Sequence, residues 1–363
     1  MKNKLQNFWS TRKKENKIDY LTYLGVVAVF VVVKLLQSGD MLNRSQTSWL
    51  VPICAYVVMA VSLNLTVGIL GELSLGHAGF MSVGAFAGVI AAQGLINVIP
   101  SAPLRLAIAI VVGAIFAGIA GFLIDIPVLR LRGDYLAIVT LAFGEIIKEL
   151  INCLIVGVDS RGLHIIFNVT GAKSAADLNL LEGGTAIIKG AQGATGTSVI
   201  STFTAGFILV MVALVVVLNL VRSRSGRAIM AIRDNRIAAE SLGLNITKYK
   251  MLAFTVSAAL AGAAGALYGL NFSSLVATKF DFNLSILVLV YVVLGGLGNI
   301  WGSIIAAVVL YILPEALRAF ASYRMLIYAV VLVLVMLATN NAQLKALFGK
   351  LIPKRKGGVP DGE

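Results

Sequence analysis

The sequence predicts an all-α polytopic membrane protein with about ten transmembrane helices, and three observations support this prediction. Hydrophobic residues make up 58% of the 363 residues, charged residues make up 13%, and the mean hydropathy is +0.91. A soluble surface could not cover so much apolar material. Apolar runs recur along the chain at lengths that cross a hydrocarbon core of roughly 30 Å as helix. The net charge of +13 is concentrated in blocks between alternate apolar runs.

The apolar runs define the candidate transmembrane helices in chain order. Their approximate bounds are Leu21–Leu36, Trp49–Leu70, Leu75–Leu95, Leu104–Ile124, Tyr135–Val156, Ser201–Val221, Met251–Leu270, Leu284–Leu294, Ser303–Phe320 and Met325–Ala338. The first and the eighth are short for a helix that crosses a bilayer. Together the runs form a predicted transmembrane domain at residues 21–340, between a basic N-terminal segment at residues 1–20 and a C-terminal tail at residues 341–363.

The positions of the basic residues predict the orientation of this domain. The blocks lie before the first span at residues 2–17, after the fourth at Arg130 and Arg132, after the sixth at residues 222–250, and after the tenth at residues 345–356. All of these blocks then fall on one side of the membrane, which the positive-inside rule assigns to the cytoplasm. Both termini are therefore predicted to be cytoplasmic. The N-terminus resembles a signal peptide, but no small-x-small cleavage site follows the first span, which favours a retained anchor.

Glycine-rich helix breaks interrupt the apolar runs at two places. The first break covers residues 68–88 and contains Ser74 and His77, and the second is GGLGNIWG at Gly295–Gly302, with Asn299. Glycine in a membrane helix permits either close helix contact or a local departure from helix whose freed backbone groups face a polar solute. We therefore assign Ser74, His77 and Asn299 to a candidate substrate path. The alternative is that both breaks are tight turns with small residues for packing.

Charged residues inside the predicted spans are candidates for function because charge is costly at membrane depth. Glu145 lies about midway along the span from Tyr135, and Lys148 and Glu149 follow it at helical spacing. A local ion pair would satisfy Glu145 without any solute. Alternatively, Glu145 lines a water-filled path and is a fourth member of the candidate substrate path. Asp125 is expected at the hydrated membrane boundary, beside the basic block that follows the fourth span.

The sequence contains no pattern typical of a membrane enzyme or a metal site. Cys54 and Cys153 lie inside predicted spans, and His77 and His164 have no partner at metal-binding spacing. There is no nucleophile elbow and no phosphate-binding P-loop. We therefore expect no cofactor and no enzymatic activity in this chain. The basic residues are explained by topology and by anionic lipid, so nothing indicates nucleic-acid binding.

The basic segment at residues 222–250 predicts a cytoplasmic coupling helix between two spans. Asp234 or Asn235 is a good N-cap, the residues up to Leu242 favour helix, and Gly243 is a natural stop. This predicted helix, Asp234 to Leu242, is amphipathic, with Ile237 and Leu242 on one side and Glu240 available to solvent. Such a helix could dock into a groove on another protein. Alternatively, it rests on the membrane surface, held by cations and acidic lipid.

Four blocks of sequence carry a resemblance to a known family. They are GELSLGHAGF at Gly71–Phe80, RLRGDYLAIVTLAFGEI at Arg130–Ile146, SRSGRAIMAIRDNRIAAESLG at Ser223–Gly243 and VVLGGLGNIWG at Val292–Gly302. In this order and over most of the chain, they resemble the M-type (LivM) permeases of bacterial ABC-type branched-chain amino acid transporters. The resemblance implies a multi-pass subunit of a prokaryotic cytoplasmic membrane importer for leucine, isoleucine and valine.

The resemblance also implies partners and a division of labour. An H-type permease would complete the translocation path, two ATP-binding subunits would hydrolyse ATP at the cytoplasmic face, and an extracytoplasmic binding protein would deliver the amino acid. The coupling segment that meets the ATP-binding subunits would contain Asp234, Ile237, Glu240 and Gly243. The absence of a P-loop from this sequence fits that division.

One region departs from the family pattern, and it leaves the solute open. An outer loop is predicted at residues 157–200, in which residues 157–189 are unusually long and mixed in charge before GAQGATG at Gly190–Gly196. This segment could alter docking of the binding protein or lie over the outer surface. Related permeases carry urea, short amides or other amino acids. A proton-coupled secondary transporter that relies on Glu145 is a further alternative.

Overall fold

A computed structural model describes residues 22–39, 43–128, 131, 133–159, 161–168, 175–181, 184–317, 326, 329, 330 and 333. The predicted N-terminal segment, the C-terminal tail, Arg130, Arg132 and most of the span Met325–Ala338 lie outside the described residues. The chain divides into two compact units, residues 1–308 and residues 309–363. The described residues of the second unit are the end of one helix and a few single helical positions.

The described part of the chain is mainly helical, which confirms the predicted fold class. Its helices are α1 Thr22–Ser38, α2 Arg44–Asn64, α3 His77–Gly94, α4 Ala102–Val128, α5 Asp134–Asn152, α6 Phe203–Arg222, α7 Arg224–Asp234, α8 Arg236–Ser241, α9 Ile246–Gly269, α10 Phe282–Gly295 and α11 Ile300–Ala316. Every predicted span up to Ser303–Phe320 corresponds to one of these helices. The last three residues of that span, 318–320, are outside the described part.

Five described segments are long and apolar enough to cross a membrane. They are Gln46–Leu70, Ala102–Val128, Phe203–Arg222, Ile246–Gly269 and Ala277–Gly295, and the apolar helices α1 and α11 are shorter. The predicted span Tyr135–Val156 is wrong at its end, because α5 stops at Asn152 and the chain continues as a strand. The apolar run Leu154–Val158 includes β-branched residues that suit a strand, and apolar character alone did not distinguish the two structures.

Small residues bring α3, α4 and α9 into close contact at the centre of the first unit. A methyl group on Gly84 of α3 would overlap the backbone of Gly262 of α9, and one on Gly265 would overlap the carbonyl oxygen of Met81. A methyl group on Gly113 of α4 would lie 2.7 Å from the carbonyl oxygen of Gly84. Close backbone approach of this kind is how helices pack in a bilayer, where apolar burial gives little driving force.

A five-stranded antiparallel sheet occupies the predicted outer loop, and the sequence analysis did not predict it. Its strands are β1 Leu154–Asp159, β2 Gly162–Phe167, β3 Thr185–Lys189, β4 Ala194–Thr195 and β5 Ser274–Leu275, in the order β2-β1-β3-β4-β5. β1 and β2 form a hairpin in which Leu154 pairs with Phe167 and Asp159 with Gly162. β5 follows α9, so the sheet also joins the outer loop to a distant part of the chain.

The turn between β1 and β2 is organised around the carboxylate of Asp159. The carboxylate accepts the backbone N–H of Arg161 at 2.7 Å and that of Leu181 at 3.4 Å, and it lies 3.1 Å from Nε2 of His164. Burial raises the pKa of Asp159, but the hydrogen bonds from Arg161, Leu181 and His164 outweigh burial and bring the pKa down to about 2. Asp159 therefore contributes to the order of the outer loop as a carboxylate.

The segment at residues 222–250 forms two helices, α7 and α8, instead of the single predicted helix from Asp234 to Leu242. Asp234 is the last residue of α7, and Asn235 is extended and caps α8 by accepting the N–H of Ala238 at 3.0 Å. Of the two predicted N-caps, Asn235 is thus correct and Asp234 is wrong, because α7 continues up to it. Gly243, with φ +78°, follows the end of α8 as predicted.

Candidate functional site

The two glycine-rich breaks lie against each other. α2 continues as a π-helical turn, Leu65–Leu70, which ends at Gly71 with φ +80°. Between α10 and α11 the chain turns through Gly296 and Gly298, both with positive φ. A methyl group on Gly68 would overlap the backbone nitrogen of Gly298, so glycine is required where the π turn meets the second break. The breaks are therefore neighbouring parts of one junction.

Asn64 connects the two breaks through its side chain. Its Oδ1 accepts the backbone N–H of Gly298 at 2.8 Å, and its Nδ2 donates to Oγ of Ser303 at 3.0 Å. The Asn64 side chain is fully buried. The buried amide at the end of α2 is satisfied by one partner in the second break and one on α11, which follows it. We name Asn64, the π turn Leu65–Leu70 and the turn at residues 296–299 the break junction.

Ser74 and His77 lie together just before and at the start of α3, and both are buried. Nε2 of His77 lies 2.8 Å from Oγ of Ser62 on α2. Oγ of Ser74 has no hydrogen-bond partner among the described residues. Since an unpaired buried hydroxyl is uncommon, Ser74 has spare capacity to bind a polar group.

The polar surroundings of Ser74 and His77 come from other helices. Oγ of Thr140 on α5 accepts the N–H of Leu75 at 3.1 Å, and Oγ of Ser285 on α10 accepts the N–H of Ala78 at 3.1 Å. These side chains satisfy backbone groups that the interruption between α2 and α3 leaves free. The start of α3 is thus a small polar region buried among α2, α5 and α10.

Glu145 and Asn299 occupy different surroundings from Ser74 and His77. Glu145 forms an ion pair with Lys148, and Glu149 lies 3.8 Å from the same ammonium group. The Glu145 side chain is 39% exposed, and the residue before it, Gly144, packs against the backbone of Gly76. Asn299 is exposed in the break junction, and its carbonyl oxygen accepts the backbone N–H of Ser303 at 3.1 Å. The local ion pair foreseen for Glu145 is therefore present.

The coupling residues named from the sequence lie on or beside α8. Ile237 and Leu242 are 78% and 81% exposed, and Glu240 is also exposed. On the opposite side, Ala239 packs in a small apolar cluster with Ile232 of α7 and Ile246 of α9. α8 is therefore anchored through Ala239, whereas Ile237 and Leu242 are exposed.

Several buried polar residues were missed or misplaced by the sequence analysis. The expectation that Asp125 lies at a hydrated boundary is wrong, because Asp125 is buried. It shares the inward face of α4 with Gly118 and Gly121. Its Oδ2 has no partner among the described residues. Arg105, buried on the same helix, has two guanidinium nitrogens without partners in the described part of the chain. Asn64 was also missed, although a polar residue within an apolar run, four residues before Gly68, could have indicated it.

The described residues contain no cluster of three or more histidine, cysteine or acidic side chains suited to a metal ion. Cys54 is buried and Cys153 is half-buried, and both are free thiols.

A family model described as "Branched-chain amino acid transport system / permease component" matches residues 45–338. The chain belongs to this permease family. The permease is 36% identical over 317 residues to the high-affinity branched-chain amino acid transport system permease protein LivM of Salmonella typhimurium, with 85% of the chain and 71% of the relative covered. LivM of Escherichia coli is 35% identical over the same length, with the same coverage of each chain.

A shorter region of the permease is similar to another member of the family. It is 32% identical over 117 residues to the permease protein LivH of Escherichia coli, which covers 32% of the chain and 38% of that relative. No solved structure matches the permease. These similarities confirm the family that the four sequence blocks indicated, and they identify the protein as a multi-pass membrane permease.

Proposed function

We propose that this permease forms the translocation path of a branched-chain amino acid importer together with an H-type permease, and that ATP-binding subunits on the cytoplasmic side drive it. An extracytoplasmic binding protein would deliver leucine, isoleucine or valine. The observation that carries the proposal is α8, a capped helix in a family of transport permeases, with the exposed large apolar side chain of Ile237 on it and that of Leu242 at its end. ATP hydrolysis would belong to the partner subunits.

The exposed face of α8 supports docking of an ATP-binding subunit. Ile237 and Leu242 are large apolar side chains on an otherwise polar segment, which is typical of a protein interaction site. Glu240 adds a charge at the same surface, and Asn235 and Gly243 fix the two ends of the helix. Because Ala239 packs against Ile232 of α7 and Ile246 of α9, a movement of α8 would be transmitted to those two helices.

Co-purification of the permease with its H-type partner and the ATP-binding subunits tests this docking site. Ile237→Asp and Glu240→Arg should each reduce the recovery of ATP-binding subunits without reducing the amount of membrane-inserted permease. Ile165→Asp, at an exposed position on β2, is the matched control and should leave recovery unchanged. Full recovery with both α8 variants would contradict the docking site.

We propose that the solute path includes the polar region around Ser74 and His77, and that Glu145 and Asn299, which lie in other surroundings, contribute further polar groups to it. Ser74 has an unpaired hydroxyl, and the apolar residues of the surrounding helices would accommodate an aliphatic side chain. Glu145→Gln tests the role of Glu145 in this path, because Lys148 keeps Glu149 as a partner and the helix should stay folded. Reduced uptake, or altered pH dependence of uptake, is expected, and wild-type behaviour in both would return Glu145 to a structural role.

The orientation follows from the basic blocks, with both termini and α7–α8 in the cytoplasm and the five-stranded sheet outside. In a background that lacks Cys153, a cysteine at Ser225 should react with an impermeant maleimide only from the inside, and a cysteine at Leu163 only from the outside. Labelling of Ser225→Cys in intact cells would overturn the orientation.

An importer of another solute and a proton-coupled transporter would behave differently from a branched-chain amino acid importer. An importer of urea or short amides would retain ATP dependence but not transport leucine. A proton-coupled transporter would need no ATP-binding subunit and would leave the apolar face of α8 without a partner. The exposed side chains of α8 therefore favour the ATP-driven importer.

A further inference from the structure

The first break is held by the end of α7 through Arg233. Its guanidinium Nη1 donates to the carbonyl oxygen of Gly68, at 3.2 Å and 165 residues away in sequence. Its aliphatic stem covers Gly71, where an added methyl group would lie 2.6 Å from Cγ of Arg233. Gly71 is therefore glycine for two reasons, its positive φ and the presence of the Arg233 side chain.

The first break is also held by the start of α9. Lys250 forms an ion pair with Glu72, and their side chains are 4% and 16% exposed. A buried pair of this kind resists separation, because removing one partner leaves the other charged and desolvated. Arg233 lies before α8 and Lys250 lies after it, so two cations that flank the proposed docking helix hold the same short segment, Leu65–Glu72.

The segment that these cations hold departs from regular α-helix. Its π-helical turn is a rare conformation, found mostly at functional sites. The segment is also joined to the second break, because Asn64, directly before the π turn, binds Gly298 and Ser303. A displacement of α7 and α9 relative to α2 would therefore change both breaks together.

We propose that Arg233 and the Glu72–Lys250 ion pair are positioning residues that transmit movement of α7 and α8 to the break junction. The proposal rests on the proposed function, in which ATP-binding subunits dock on α8. ATP binding would shift α7 and the start of α9, and the two contacts would move Gly68 and Glu72 with them. Because the contacts favour one arrangement of the junction over another, they supply the differential interaction that coupling requires.

The test compares Arg233→Gln with Arg224→Gln in the complete importer reconstituted in proteoliposomes. Both substitutions remove one positive charge from α7, but Arg224 is exposed at the start of the helix and makes no contact with the break among the described residues. Arg233 is 40% exposed, so its replacement should be compatible with folding. Three quantities are measured for each variant: recovery of the ATP-binding subunits, ATP hydrolysis, and leucine uptake per ATP hydrolysed.

We expect Arg233→Gln to keep wild-type recovery and hydrolysis while uptake per ATP falls by about tenfold, within the usual range of coupling between sites. Arg224→Gln should match the wild type in all three. A fall in recovery or hydrolysis in proportion to uptake, or uptake per ATP equal to that of Arg224→Gln, would overturn the inference. If the wild-type complex itself shows no ATP-dependent uptake, the proposed function fails, which is a distinguishable result.

A charge exchange provides the second test. Glu72→Lys and Lys250→Glu should each lower uptake per ATP, and the double variant should restore at least half of the wild-type ratio because the ion pair is re-formed with its ends exchanged. The amount of monodisperse permease after purification identifies variants that fail to fold. A folded double variant that transports no better than either single variant would contradict the role of the ion pair.

Discussion

Replacing Asn64 with alanine should measurably lower the free energy of unfolding of the permease, because this side chain joins the two breaks. The substitution removes two hydrogen bonds, to the N–H of Gly298 and to Oγ of Ser303. Hydrogen bonds between membrane helices contribute about 0.6 kcal/mol each on average, which gives a lower bound of about 1 kcal/mol. If the N–H of Gly298 is then left buried without a partner, the loss of unfolding free energy is expected within about 1–3 kcal/mol.

The free energy of unfolding of the purified permease can be measured by titration with sodium dodecyl sulfate in mixed micelles. Asn283→Ala is the matched control, since Asn283 is exposed and, among the described residues, its amide bonds only to Asp281, the N-cap of α10. The control should change the free energy by no more than about 0.5 kcal/mol. Equal effects of the two substitutions would refute the conclusion that Asn64 joins the breaks.

Two further predictions concern packing and pH. Gly265→Leu should abolish the recovery of folded permease in detergent, because the side chain would overlap the carbonyl of Met81. Gly94→Ala is the control and should be recovered, because an added methyl group there would lie 3.9 Å from Cγ2 of Val158; normal recovery of Gly265→Leu would contradict the packing. The pKa of Asp159 is lowered to about 2, so its contribution to the outer sheet is present above pH 4 and is lost as the pH falls through about 2. Hydrogen exchange of β1 and β2 should accelerate over that range in the wild type but not in Asp159→Asn, and equal profiles would refute the assignment.

The helical framework was predictable from the sequence because apolar runs of membrane length leave few alternatives to helix. The glycine-rich breaks were predictable from their composition, because a stable helix does not continue through GGLGNIWG, where Gly296 and Gly298 have positive φ. Their contact with each other was not predictable. It depends on Asn64 and Gly68 meeting residues more than 200 positions away, and a single sequence contains no information about such pairings.

The outer sheet and the two-helix coupling segment show other limits of the sequence analysis. Leu154–Val158 is apolar enough to extend α5, and its strand character is determined by pairing with β2 and β3. In the coupling segment, Asn235 and Asp234 have similar capping propensities. The choice of Asn235 follows from α7, which extends to Asp234 and whose Ile232 packs beneath α8.

Of the candidate site residues, those on α8 were placed most accurately by sequence reasoning. Glu240 and Ile237 are exposed on a capped helix, as their pattern indicated. The positions of the path residues were predicted less accurately. Ser74 and His77 are buried and Asn299 is exposed, and residue type alone does not predict this difference in burial. Arg233 and Lys250 were not singled out, since in the sequence they are two cations among many in a basic loop.

Uptake of labelled leucine, isoleucine and valine tests the central claim most directly. Proteoliposomes would contain the permease, its H-type partner and the ATP-binding subunits, with the binding protein supplied on the extracytoplasmic side and ATP on the cytoplasmic side. The account predicts uptake that requires ATP and the loaded binding protein and that is unaffected by collapse of a proton gradient. Uptake driven by a proton gradient in the absence of the ATP-binding subunits would contradict it.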